Sequence, residues 1–216
     1  FCVVELSSFY LDILKDRLYC DEKEGLRRRS AQTALFLILD AMAKLFAPIL
    51  AFTSQEIWAA MPHAEKDDAE CVLFNDIPDW SAKLALSEEQ ADKWARVIAL
   101  RDDVNKALEL ARSEQGIKKN QDADLALTFN AEAWKTFSAM GLTNADLATI
   151  CIVSAVTVAE GEGEGYKGEE FEGLTVKVSP AAGEKCPRCW NHDVTIGTEG
   201  HHAELCQRCA VVLTES

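Results

Sequence analysis

Two Cys-x-x-Cys pairs stand near the end of this 216-residue sequence, Cys186-Pro-Arg-Cys189 and Cys206-Gln-Arg-Cys209, with sixteen residues between them. Each pair turns two sulfurs toward one point, and backbone N–H groups within such a turn can donate to thiolates. Two turns complete a tetrahedral sulfur shell, which suits zinc and leaves no open position for catalysis. A redox dithiol wants a single pair at a strand–helix junction, and a disulfide framework wants an oxidising compartment. The stretch from Glu184 to Ser216 holds too few apolar side chains for a core of its own, so metal binding must supply much of its folding free energy. His192, His201 and His202 lie between the pairs and could replace a cysteine, but four cysteines already suffice. The expectation is one structural zinc ion on Cys186, Cys189, Cys206 and Cys209. The other cysteines, Cys2, Cys20, Cys71 and Cys151, are scattered among apolar neighbours and read as small buried hydrophobes.

Trp190 follows Cys189 directly. Its ring could pack against Val211, Val212 and Leu213, or stay exposed as a platform for an unpaired base. Arg188 and Arg208 occupy matching positions in the two knuckles, where they could neutralise the dianionic zinc–thiolate centre, contact phosphate, or both. Trp58, Trp80, Trp94 and Trp134 sit among apolar neighbours and are assigned to the core. A second basic cluster, Arg27-Arg28-Arg29, reads either as a solvated face paired with Glu22 and Glu24 or as an RNA contact. Residues 1–30 carry six basic side chains, Lys15 and Arg17 among them, against six acidic ones, so the segment is neutral overall.

The elements that must position these residues follow from periodicity. Val3, Leu6, Phe9, Tyr10, Ile13 and Leu14 have helical spacing, as do Ala34, Leu35, Ile38, Ala41, Met42 and Leu45 in a helix over about 26–46 that Pro48 ends. Thr53 with Glu56 reads as a capping box opening a short helix through Trp58. Ser87 with Gln90 reads as another, heading a helix striped by Trp94, Val97, Ile98, Val104, Leu108 and Ala111. Past Gly116 the pattern becomes mixed. A strand is expected at 125–129, a helix over 132–140, a short helix capped by Thr143-Asn144, β-branched sequence over 150–158, and a strand at 174–178. Gly161, Gly163 and Gly165 alternate with glutamates that would repel phosphate, so the run from Glu160 to Glu172 is a solvated loop and not a phosphate cradle.

Composition bounds the function. A 48% hydrophobic and 27% charged chain folds, and its net charge of -14 disfavours a non-specific DNA coat or an anionic membrane surface. No apolar run spans a bilayer and no signal segment is visible, so a reducing, cytoplasmic location is expected. The start at Phe1, directly in a helical pattern, reads as a piece of a longer protein.

The segments F-C-V-V-E-L-S-S-F-Y-L-D-I-L-K-D-R-L-Y, R-R-S-A-Q-T, A-P-I-L-A-F-T-S-Q-E-I-W, V-N-K-A-L-E-L-A-R and C-P-R-C-W…C-Q-R-C resemble, in the family's order, the anticodon-binding region of bacterial-type isoleucyl-tRNA synthetase. The helical segments alone would also admit the valyl and leucyl relatives. Tryptophan directly after the second cysteine of a terminal zinc module points to the isoleucyl enzyme. The resemblance implies a mainly α fold: a helical-bundle anticodon-binding domain over 1–116, a small α/β junction unit over 117–182, and a four-cysteine zinc module over 183–216. It implies binding of isoleucine tRNA through Trp190, Arg188, Arg208, Arg27, Arg28, Arg29, Lys15 and Arg17. It also implies a monomer, and catalytic and editing domains upstream in the same chain, where ATP would be used. Neither H-I-G-H nor K-M-S-K-S, the class I active-site signatures, occurs in this sequence. The chain departs from the family pattern at I-K-K-N-Q-D (117–122), where a Gly-Ser-type turn is usual, and in its long acidic Gly-Glu run. The competing expectation is a free-standing zinc ribbon for nucleic-acid or protein interaction, since similar four-cysteine ribbons end some DNA glycosylases.

Overall fold

Short-range capping chemistry starts two helices where the sequence places them. A computed structural model gives the structure of residues 1–79, 84–198 and 202–214. The Ser87 hydroxyl accepts from the Gln90 N–H and the Gln90 side chain accepts from the Ser87 N–H, heading the long helix Glu88–Gln115 (α4), which ends on Gly116 at φ 71°. Thr143 and Asp146 exchange the same pair of bonds ahead of Asn144–Cys151 (α6). Between them, Asn130 caps Ala131–Met140 (α5) by accepting from the Ala133 N–H.

The chain forms two compact units, 1–22 with 87–216, and 23–86. In the first, a π-helical segment Cys2–Tyr10 runs into Leu11–Cys20 (α1). Strands Ala123–Phe129 (β1), Ala155–Glu160 (β2), Tyr166–Lys167 (β3) and Leu174–Pro180 (β4) form a sheet in the order β2-β1-β4-β3. β2 runs parallel to β1, joined through α5 and α6, and β4 is antiparallel to both its neighbours. Alternate residues of β1 are buried, and Val97, Leu100, Val104, Ala107, Leu108 and Ala111 of α4 pack into the same core. The segment 1–116 thus contributes to both units, because the apolar stripe of α4 is buried on the sheet. Arg101 of α4 donates to the carbonyl of Ile150 and lies 4.9 Å from the Phe9 ring, fastening α6 and the N-terminal helix.

The acidic loop is not wholly solvated. Asp103 of α4 is fully buried, and its carboxylate accepts the backbone N–H groups of Glu169, Glu170 and Phe171 at 2.7–3.2 Å.

The second unit holds Leu26–Phe46 (α2) and Ala51–Ala60 (α3) around Ala43, Ala47, Trp58, Met61 and Val72. Lys44 is buried with Asp40 and Asp67 at 2.8 and 3.3 Å, and its Nζ lies 5.1 Å from the Trp58 ring. Several expectations need correction. Thr53 lies inside α3, whose N-cap is Leu50 without a side-chain bond. Leu45 of the expected α2 stripe is 54% exposed, because α2 buries Ala31, Asp40, Ala43 and Lys44 instead. Trp58 is fully buried as expected, but Trp94 is 43% exposed, in the first turns of α4, where burial begins only at Val97. Trp80 falls outside the described residues. Cys20 and Cys151 are buried, whereas Cys2 is exposed and Cys71 half-buried.

Candidate metal centre and nucleic-acid interface

The first knuckle is closed from both sides by backbone bonds. Strands Glu184–Lys185 (β5) and His192–Asp193 (β6) pair antiparallel, the Cys186 N–H donates to Asn191, and the Trp190 N–H donates back to the Cys186 carbonyl at 2.9 Å. The second knuckle runs into Gln207–Thr214 (α7), with the Ala210 N–H donating to Cys206. This brings the Sγ atoms of Cys186, Cys189, Cys206 and Cys209 within 4.8 Å of one another, all four residues buried. The Cys189 and Cys206 sulfurs are 3.8 Å apart, matching the edge of a tetrahedron with zinc–sulfur bonds of about 2.3 Å. The Cys206 N–H points to the Cys186 sulfur at 3.5 Å.

Electrostatics agree with a metal-holding role. Burial pushes the free Cys206 thiol up to about 11. At Cys209 the hydrogen bond with Cys189 pulls down, but the one with Cys20 and burial prevail and raise it to about 12. Thiols crowded into so small a space become thiolates together only around a cation that offsets their charge. The donor set is all sulfur and closed, and the centre is a structural zinc site. Among the described residues the metal-competent group consists of these four cysteines. His192 instead approaches Asp122 at 3.4 Å and His202 approaches Glu204 at 3.9 Å, while His201 lies outside the described residues.

The module is fastened to the end of α1. Cys20 is buried in one cluster with the four ligand cysteines, and its thiol donates to the Arg188 carbonyl at 3.6 Å. Arg188 donates in turn to the carbonyls of Cys20 (2.7 Å) and Tyr19 (3.5 Å), the acceptors left open at a helix C-terminus. Arg208 grips Asp16 with both Nη atoms, at 2.5 and 2.6 Å. The Asp16 bonds raise the Arg208 pKa above its usual value, with the Cys189 sulfur adding to the effect. Arg188 likewise bonds Cys209. Both guanidiniums thus lie at the junction of the zinc module with α1, a contact beyond the neutralisation or phosphate binding expected from the sequence. Neither Cys20 nor Asp16 carries a sequence signal of this role, since the contacts join chain positions far apart.

Trp190 is 54% exposed, so Val211, Val212 and Leu213 do not bury it. Its backbone sits at φ 69°, the left-handed region that a bulky side chain rarely adopts. The other basic residues singled out are dispersed. On α1, Lys15 pairs with Asp12 at 2.6 Å and Arg17 is half-buried. On α2, Arg29 pairs with Glu24 at 2.6 Å, Arg27 is exposed and Arg28 half-buried.

Two families match this chain. The one described as the anticodon-binding domain of tRNA ligase covers residues 1–127, and the one described as a zinc finger found in FPG and IleRS covers residues 183–211. The chain is 43% identical over 215 residues to the isoleucine–tRNA ligase of Syntrophotalea carbinolica, a match covering 100% of the chain and 22% of that protein. It is 41% identical to that of Geobacter sulfurreducens, covering 99% and 22%, and 39% identical to that of Caldanaerobacter subterraneus, covering 100% and 23%. The chain therefore spans about a fifth of the length of these curated relatives.

Proposed function

We propose that this chain, which belongs to the family of anticodon-binding domains of tRNA ligases, is the tRNA-gripping part of a bacterial-type isoleucine–tRNA ligase. Acylation of isoleucine tRNA with ATP falls to other domains of the same polypeptide, and this part binds the anticodon stem-loop without doing chemistry. Its sequence modules are the anticodon-binding helices (1–116), the α/β junction (117–182) and the zinc module (183–216). It works as a monomer in the cytoplasm. No helix among the described residues is long and apolar enough to cross a membrane.

The observation that carries this reading, beyond the family, is Trp190. A left-handed backbone costs a non-glycine residue on the order of 1–2 kcal/mol, and such outliers cluster at functional sites. Here the outlier displays an indole on a turn held between two zinc ligands and anchored to α1. An exposed ring on so rigid a mount suits stacking with an unpaired anticodon-loop base, worth about 1–3 kcal/mol per base. Arg188 and Arg208 support that mount as anchors and offset the thiolate charge. Lys15, Arg17, Arg27, Arg28 and Arg29 meet phosphates, contacts that position the strand without reading its sequence. The zinc is scaffolding in this scheme.

Trp190→Ala in the intact ligase tests the assignment. Aminoacylation of tRNA should fall through weaker tRNA binding while isoleucyl-adenylate formation is unchanged. Equal loss in both assays would remove the stacking role.

A further inference from the structure

Trp190 has a neighbour from the turn between α4 and β1. The Nζ of Lys119 lies 5.1 Å from the centroid of its ring, within cation–π range. The turn carrying Lys119 is the I-K-K-N-Q-D segment, and it is clamped to the first knuckle. Gln121 donates to the Cys189 carbonyl at 3.4 Å, and its own carbonyl accepts from Ser154 Oγ, which also receives the His192 N–H. Asp122 accepts from the Lys119 N–H, and its carboxylate is held at 2.7 Å by Lys185. The relative position of Lys119 and Trp190 is therefore set by bonds on both sides, whereas the side chains of Lys118 and Lys119 and more than half of Trp190 face solvent.

This placement matters in a chain of net charge -14. The exposed indole of the zinc knuckle stands beside Lys119, whose sequence neighbour Lys118 is also exposed, while the carboxylate on that turn, Asp122, is already engaged. A nucleotide offers the matching pair of features, a flat π surface and an anionic phosphate a few bonds away. From this geometry we infer that Lys119 and Trp190 form one composite site for a single nucleotide of unpaired RNA: the base stacks on Trp190 and the Lys119 ammonium meets its phosphate, with Lys118 adding charge. The inference rests on the stacking role of Trp190 and adds a second binding residue that neither the sequence pattern nor family membership assigns. Lys119 also steadies the ring by its cation–π contact when RNA is absent.

The test is equilibrium binding of isoleucine tRNA to the zinc-loaded chain across a salt series, for wild type, Lys119→Met, Lys119→Arg, Trp190→Ala and the double variant Lys119→Met/Trp190→Ala. Zinc content is measured for each to show that the knuckle is intact. Loss of one phosphate contact should weaken binding roughly 3- to 10-fold and make the slope of log K against log salt shallower by about 0.7. Lys119→Arg should keep both affinity and slope. The double variant should lose less than the product of the single losses, because both residues hold the same nucleotide. If Lys119→Met binds as wild type while Trp190→Ala is weakened, Lys119 is only a strut and the composite site is wrong, though the stacking role stands. If Lys119→Met weakens binding with no change of slope, the lysine acts through the ring alone and the phosphate assignment is overturned. If neither single variant is weakened, the stacking role fails and the composite site with it.

Discussion

Glycine would hold φ 69° at position 190 without strain, and a tryptophan stands there instead. Stability and function should therefore separate at this residue. Trp190→Gly should leave thermal unfolding unchanged or raise stability by up to about 1–2 kcal/mol, while weakening tRNA binding roughly 5- to 100-fold. A variant that instead unfolded early would show that the ring is a packing residue. Zinc ligation was legible at this scale, because tetrahedral sulfur coordination forces a spacing that survives without knowledge of the fold. The partners of Arg188 and Arg208 were not. Each guanidinium had several chemically reasonable acceptors, and only the packing of the zinc module beside α1 selects Asp16 and the terminal carbonyls of α1. Lys119 carries no sequence signal for the same reason: a lysine in a turn becomes informative only when an aromatic ring from a distant segment lies beside it.

At the scale of elements, the zinc module is joined to α1 and does not hang from the chain as an isolated ribbon. Cys20 shares its buried cluster, and the Arg208–Asp16 pair and the Arg188 bonds close the contact. Chelation should therefore unfold residues from about 184 onward and also loosen the last turn of α1. Hydrogen exchange is expected to lose protection at both places while β1, β4 and α4 stay protected. Loss confined to the zinc module would mean that the anchor carries no coupling. A double-mutant cycle of Asp16→Ala and Arg208→Ala, read by the zinc dissociation rate, should show non-additive acceleration, since each single change already removes the pair. Strict additivity would contradict a linked anchor. The helix start at Ser87 was readable because cap and partner, Gln90, are three residues apart; at Thr143 the cap was readable but its partner Asp146 was not singled out. Thr53 with Glu56 carried the same letters inside a helix that begins earlier, at Ala51. Periodicity named a face of α2 but not what covers it, and Lys44 with Asp40 and Asp67 occupies the buried side that apolar counting leaves empty. Trp94 was misplaced in the same way, by hydrophobicity without a partner.

For the whole molecule, a net charge of -14 and an RNA ligand are compatible only if attraction is local and the rest of the surface repels. Such a protein should bind RNA with a salt dependence set by its local lysines and arginines, and should draw its selectivity from stacking and base edges in an unpaired loop. The helices before Gly116 and the mixed strand and helix pattern after it could be read from periodicity. The assignment of α4 to the sheet could not, because a helix stripe fits a bundle and a sheet face equally well. The central claim, that this chain grips the anticodon loop of isoleucine tRNA, is tested most directly by equilibrium binding of the zinc-loaded chain to three ligands at one moderate salt concentration: isoleucine tRNA, the same tRNA with its anticodon loop replaced, and duplex DNA. Preference for the native tRNA, lost by at least about 10-fold on loop replacement and far above duplex DNA, is the predicted result. Equal binding of the two tRNAs, or preference for the duplex, would contradict it.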